Sequence, residues 1–352
     1  GTTHEPPPSV DSKSPRRREH ENADPASSAD SSVGPADSSH PAGSSRPADS
    51  GMPGAPAKPF SGPARWLRYL AVPLAVAALV SAYVRVVTER QRTFSYRFND
   101  YESIQIPTSP EALAHGRHLF VTRGCVDCHT DDAGGSILQQ GWFTGTIVAP
   151  NLTTGRGGVG GQRTPAEFIR AFREGVKTDS TSVLYMPSHK FASLNETDVA
   201  AIAAWIASAP PVDRELPPIR LSLPIRFAYM LAHRVELFPA RHLRHPLELS
   251  KEIPVTPEEK GKYLASACVG CHGYDMRGGR IPGVPPTWPA APSLRRDGPT
   301  AGWTAEAFTR AMREGQTPDG RHLDDAYMPW TAFGKLSDEE LALLWDYFES
   351  LQ

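Results

Sequence analysis

Cys125-Val126-Asp127-Cys128-His129 and Cys268-Val269-Gly270-Cys271-His272 decide how this chain reads. Two thiols three positions apart can reach two vinyl groups on one side of a porphyrin. The adjoining His then points at the iron, so Cys-x-x-Cys-His is the attachment signature of c-type haem. A single copy could be chance, a thioredoxin-like pair or half a zinc site. Two copies that use all 4 cysteines are expected to hold two covalently bound haem c groups. Cys125, Cys128, Cys268 and Cys271 then carry the thioether links, and His129 and His272 are the proximal ligands.

Aligning the two motifs exposes an internal repeat. Gly116-Arg-His118-Leu119 lies upstream of the first motif and Gly261-Lys-Tyr263-Leu264 upstream of the second. Downstream, Ala149-Pro150-Asn151-Leu152 matches Ala291-Pro292-Ser293-Leu294, and Phe168-Ile-Arg-Ala-Phe-Arg-Glu-Gly175 matches Phe308-Thr-Arg-Ala-Met-Arg-Glu-Gly315. Tyr185-Met186-Pro187 matches Tyr327-Met328-Pro329, with Met186 61 residues after Cys125 and Met328 60 after Cys268. A Met at the same place in both copies is the expected sixth ligand, a choice that raises the potential and closes the iron to substrates. Met230 and Met276 have no Met partner, and Met312 aligns with Phe172, so these three read as packing residues. His189 aligns with Thr331, and His322 with Ser180. His115, His118, His233, His242 and His245 also lack a matching His.

Upstream of the repeat, Tyr69 to Val84 contains one clearly polar residue, Ser81. Arg68 and Arg85 can snorkel from its ends, stretching the usable span to Trp66–Val87, about 33 Å at the helical rise. Pro73 is tolerable in a membrane helix, and Trp66, Tyr69 and Tyr83 suit its interfaces. A retained anchor over residues 62–90 is expected in preference to a buried core helix or a leader cleaved near Val80-Ser81-Ala82, because the apolar run continues through Val86 and Val87. Residues 1–61 are rich in Pro, Ala, Ser, Asp and Gly without apolar periodicity, and are expected to be disordered. The 352-residue chain balances 37 Lys and Arg against 39 Asp and Glu. That balance carries no signal for nucleic acid.

Within the repeats the local signals are helical. Ser109-Pro110 is an N-cap followed by Pro at the first helical position. Thr164/Glu167, Thr256/Glu259 and Ser337/Glu340 have capping-box spacing, and Gly175 and Gly315 sit where a helix should stop. Apolar stripes run Val199-Ile202-Ala203-Ile206 and Leu341-Leu344-Trp345-Phe348. Each half reads as three main helices with long Gly/Pro loops. The predicted fold is all-α: a linker over 91–108, domain 1 over 109–211, a packed connector over 212–254 with a helix at Arg226–Phe238, and domain 2 over 255–352.

Both halves resemble class I cytochrome c domains in the order of entering helix, Cys-x-x-Cys-His, Pro-Asn-Leu segment, Met loop and closing helix. The resemblance implies that the carbonyl of Pro150 serves His129 and that of Pro292 serves His272. It also implies a membrane-bound dihaem cytochrome similar to the cytochrome subunits of periplasmic dehydrogenases. Haem c is attached outside the cytoplasmic membrane in bacteria, so the expected location is the bacterial inner membrane, single-pass, with both haem domains in the periplasm. The expected work is electron transfer without a catalytic residue. The expected partners are membrane redox proteins, namely a quinol- or dehydrogenase-side donor and an oxidase or soluble cytochrome acceptor, together with membrane lipid. A role confined to a dehydrogenase or oxidase complex and a dihaem enzyme such as a peroxidase are the rivals.

Overall fold

The computed structural model describes residues 64–232, 236–281, 284 and 287–351. The tail expected over 1–61 lies outside the described residues, as do His233 and the side chains of Trp66 and Arg68.

The chain opens with α1 (Ala64–Arg92), whose segment Tyr69–Arg92 is long and apolar enough to cross a membrane. Most of its apolar side chains are exposed, from Tyr69 to Val86, while Val84 and Thr88 are buried. Domain 1 contains α2 (Pro110–Thr122), the short α3 (Val126–His129), α4 (Pro165–Glu174) and α5 (Glu196–Ser208). Domain 2 repeats the set as α7 (Pro257–Ala265), α8 (Val269–His272), α9 (Ala305–Glu314) and α11 (Asp338–Ser350), with α10 (Trp330–Phe333) after its Met. In each copy the first helix packs on the last, α2 on α5 and α7 on α11.

Sequence dictates these elements closely. Ser109 Oγ accepts from Ala112 N at 3.2 Å. All three capping boxes form, at Thr164, Thr256 and Ser337. Gly175 and Gly315 close α4 and α9 in the left-handed region, at φ 69° and 68°, a conformation that a Cβ disfavours. The helix crossings depend on Gly116 and Gly261. A Cβ on Gly116 would lie 2.0 Å from the Ala201 carbonyl oxygen, and one on Gly261 would lie 2.4 Å from that of Leu343.

The all-α expectation needs correction, because the fold includes a small antiparallel sheet. Its strands are β1 (Ser136–Gly141), β2 (Gly145–Ala149) and β3 (Arg220–Leu221), in the order β1-β2-β3. Ile137 pairs with Val148, Gln140 with Thr146, and Thr146 in turn with Arg220. β-branched residues on both sides of a Gly-flanked turn favour a hairpin. The connector helix also differs from expectation. It is α6 (Leu223–Ala232), which starts a turn earlier with Pro224 in its first turn, and Phe238 instead precedes a separate short turn at Pro239–His242. The connector packs on α1 through α6 and on domain 1 through β3. Further contacts to domain 1 run from Tyr185 N to Leu237 O at 3.1 Å and from Glu196 N to Ser250 O at 2.9 Å.

The two repeats face each other about an approximate two-fold axis. His118 on α2 reaches Glu340, the third residue of α11, at 2.9 Å, and Tyr263 on α7 donates to Asp198, the third residue of α5, at 2.6 Å. His118 and Tyr263 are equivalent positions of the repeat, as are Asp198 and Glu340. Arg123, buried just ahead of the first Cys, donates to the carbonyls of Tyr263 and Leu264 at 3.3 and 3.4 Å and to Ser266 Oγ at 3.1 Å. Its guanidinium also stacks 5.0 Å from the Tyr263 ring centroid. Burial, with Asp198 alongside, pushes the Tyr263 phenol up, so it stays a donor. Tyr263→Phe would leave the Asp198 oxygen short of that bond, at an expected cost of about 1–3 kcal/mol. Urea unfolding of the haem-loaded protein measures it, and an unchanged midpoint would show that this contact contributes nothing.

Candidate haem sites

α2 ends where the first motif begins. Cys125 N donates back to Phe120 O at 3.0 Å, and His129 N to Cys125 O at 2.8 Å, which winds the motif into one helical turn. The second motif makes the same bond from His272 N to Cys268 O at 2.9 Å. All four cysteines are free and partly buried. Burial pushes the Cys125 and Cys268 thiols up to about 12 and Cys128 upward as well. Thioredoxin-like exchange requires a thiolate, and these sites oppose one. Among the described residues no three His, Cys, Asp or Glu side chains converge as a metal cluster, which removes a closed Cys/His zinc site from those residues.

The rings of His129 and His272 are both buried and oriented alike. His129 Nδ1 donates to Pro150 O at 3.0 Å, and His272 Nδ1 to Pro292 O at 2.8 Å. Burial lowers the His129 imidazole to about 4 and lowers His272 too. Each ring is therefore neutral near pH 7, with its proton on Nδ1 and the Nε2 lone pair available. A hydrogen bond of this kind fixes the tautomer and strengthens the ring as a ligand.

The carbonyls are themselves held. Asn151 is buried and donates to Val212 O at 2.7 Å, while its Oδ1 accepts from Thr153 N and Oγ1 at 3.0 and 2.8 Å. In domain 2 the shorter Ser293 accepts from Arg295 N at 3.2 Å and reaches Asp297 at 3.3 Å. Sequence reasoning missed Gly135 and Gly278, which return the chain against these segments. Both have positive φ, and a Cβ would lie 2.3 Å from Ala149 O or Ala291 O. Both stand ten residues after the first Cys of their motif, so the repeat itself carried the signal.

Met186 borders the same apolar core as Cys125, and Met328 the same core as Cys268. Met276 and Met312 are buried in the second core. The other histidines near the sites have their own partners: His189 sits 3.3 Å from Glu236, and His322 contacts Leu323 O at 2.9 Å. The donor set of each half fits haem c: two free thiols a turn apart, a neutral imidazole with Nε2 unengaged, and a thioether against the same core.

The cytochrome c family model matches residues 113–210 and 258–352, once on each repeat. A dihaem c-type cytochrome of Cereibacter sphaeroides is 28% identical over 248 residues, covering 61% of this chain and 79% of that protein. The fructose dehydrogenase cytochrome subunit of Gluconobacter japonicus is 29% identical over 120 residues, 32% of this chain and 24% of the subunit. A nicotinate dehydrogenase subunit of Pseudomonas putida is 27% identical over 220 residues, 60% of this chain and 17% of that protein. This chain thus spans a quarter or less of the length of the two dehydrogenase subunits. With the family model placed on both repeats, the chain belongs to the cytochrome c family.

Proposed function

We propose that this chain is a membrane-tethered dihaem electron carrier. Cys125/Cys128 and Cys268/Cys271 would hold the two haems, and His129/Met186 and His272/Met328 would be the axial pairs. The carbonyls of Pro150 and Pro292 would orient the imidazoles. A bound haem supplies a one-electron couple, and the protein holds its ligands and excludes water. The observation that carries the reading is the duplicated cradle, with a buried His fixed by a Pro carbonyl and a Met against the same core in each half. The haem domains would lie on the periplasmic side of a bacterial inner membrane. The donor would be a quinol- or dehydrogenase-side protein, and the acceptor an oxidase or a soluble cytochrome.

A second reading, a dedicated subunit of a dehydrogenase or oxidase complex, is favoured by relatives named as subunits of dehydrogenases and of a cbb3-type oxidase. Co-purification from membranes in mild detergent separates it from a free-standing carrier.

The site assignment predicts two covalent haems per chain in a haemochrome assay and a thioether–iron charge-transfer band of two-haem intensity. Met186→Ala and Met328→Ala are each expected to remove half of that band and lower the potential of one centre, since Met ligation raises it. A full band in either variant would refute that ligand.

A further inference from the structure

Where α1 leaves its apolar run, it meets a basic cavity that none of the haem chemistry uses. The cavity, about 470 Å³, is lined by Arg85, Arg92, Arg220 and Arg226, with Glu89 as its one acid. Arg226 is spent on structure, donating to Thr88 Oγ1 and Glu89 Oε1, both at 2.6 Å. Among the described residues Arg85 and Arg220 pair with no carboxylate, so the cavity keeps an excess of positive charge. Exposed apolar side chains on α1 run from Tyr69 to Val86, about 27 Å of helix. A bilayer core filled by that run sets the cavity at the depth of the lipid headgroups.

A second, separate feature is bonded to the segment beside this cavity. The turn between β1 and β2 presents Trp142, 83% exposed, with Phe143 packed edge-on at 5.8 Å between ring centroids. Three bonds fix this tip to the cavity wall: Ile225 N to Phe143 O at 3.1 Å, Ser222 N to Thr144 O at 3.3 Å, and Ser222 Oγ to Phe143 O. Ser222 precedes α6, and α6 is latched to α1 through Arg226. The aromatic tip and the arginine cavity are therefore joined into one face through Ser222 and α6. Trp prefers the boundary between apolar core and water, and clustered Arg attracts anionic headgroups.

We infer that this face docks on the bilayer, with Trp142 and Phe143 entering the interface and the Arg85/Arg220 cavity taking the phosphate of an anionic phospholipid. The inference rests on the reading of α1 as a membrane span. Its consequence is that domain 1 has a fixed attitude on the membrane, where a free-swinging tether would let it turn.

Hydroxyl-radical footprinting of the full haem-loaded chain tests it, in vesicles of phosphatidylcholine with and without phosphatidylglycerol. Tyr83 on α1 reports the span, and Trp142 reports docking. With phosphatidylglycerol present, Tyr83 and Trp142 should both be oxidised several-fold less than in the denatured chain. The Arg85→Gln/Arg220→Gln double variant should regain Trp142 oxidation while Tyr83 stays protected. Inorganic phosphate added to phosphatidylcholine vesicles should not substitute for the anionic lipid; if it does, the cavity is a free-phosphate site and the lipid assignment fails. Protected Tyr83 with reactive Trp142 overturns the docking alone, and reactive Tyr83 overturns the span and the docking with it. Protection of Trp142 that ignores both phosphatidylglycerol and the arginine substitutions overturns the headgroup site.

Discussion

Gly116→Val should be among the most damaging substitutions in domain 1. Its Cβ would enter 2.0 Å from the Ala201 carbonyl oxygen and 3.0 Å from the Trp205 Cβ. The first obstacle is backbone inside a helix, which no rotamer change can relieve, so α2 and α5 must separate. Overpacking commonly costs about 1–3 kcal/mol, and a clash with backbone belongs at or above the top of that range. Separation would also uncover Phe120, which stacks on Trp205 at 4.4 Å. Thermal unfolding of the haem-loaded protein should show a midpoint lower by on the order of 10 °C. Gly161 supplies the control, because a Cβ there meets nothing within 4 Å, and Gly161→Ala should stay within about 0.5 kcal/mol of the parent. Equal midpoints for Gly116→Val and the parent would mean that the crossing is looser than its geometry indicates.

Glu174→Ala is the second substitution expected to be severe. Glu174 is fully buried and accepts from Asn99 N at 3.1 Å, from the Tyr101 hydroxyl and from His245 Nδ1 at 3.1 Å. Its neighbour Arg173, only 1% exposed, donates to Tyr101 Oη at 3.0 Å and to the carbonyls of Leu247 and Glu248. Removing the carboxylate leaves the Asn99 amide, the Tyr101 hydroxyl and the His245 ring without their acceptor, and each buried polar group stranded in this way costs about 1–3 kcal/mol. Glu174→Gln keeps the shape and part of the bonding, so its loss should be smaller. Burial alone would raise the Glu174 carboxyl, but the bonds from His245, Tyr101 and Asn99 outweigh it and leave the group below the usual range. The sign of the pH effect follows from that depressed value. Support from Glu174 is complete above about pH 4.3, the unfolded value, and is lost as pH falls through the lower folded value. Acid titration of stability should be shallower in Glu174→Gln; an identical acid limb would mean that this carboxylate carries no linkage.

Much of the fold was legible because its signals are local. Capping boxes, glycine stops and apolar stripes depend on residues within a turn or two, and all appear as read. Gly116 and Gly261 were visible as matched positions, yet their close approach to α5 and α11 needed the packing. The burial of Arg173 and Glu174, which meet through the Tyr101 hydroxyl, was not legible. The second repeat has the same Arg313-Glu314, and there both are exposed, with Arg313 2.7 Å from Asp338. The difference comes from Asn99, Tyr101 and the connector at His245–Glu248, which cover only the first copy and lie outside the repeat. The hairpin escaped because its strands are short and its third strand arrives from the connector. Of the residues proposed to hold the haems, the Cys-x-x-Cys-His motifs were legible from their spacing and Met186 and Met328 from the repeat alone. The left-handed glycines at 135 and 278 were visible as matched positions of the repeat, but their close approach to Ala149 and Ala291 needed the packing.

The pairing of His118 with Glu340 and of Tyr263 with Asp198 brings a last consequence. A surface that fits its own duplicate closes on itself, since each copy spends its adhesive side on the other. With His118, Glu340, Tyr263 and Asp198 satisfied inside the chain, this face is not the one either half offers to a second molecule.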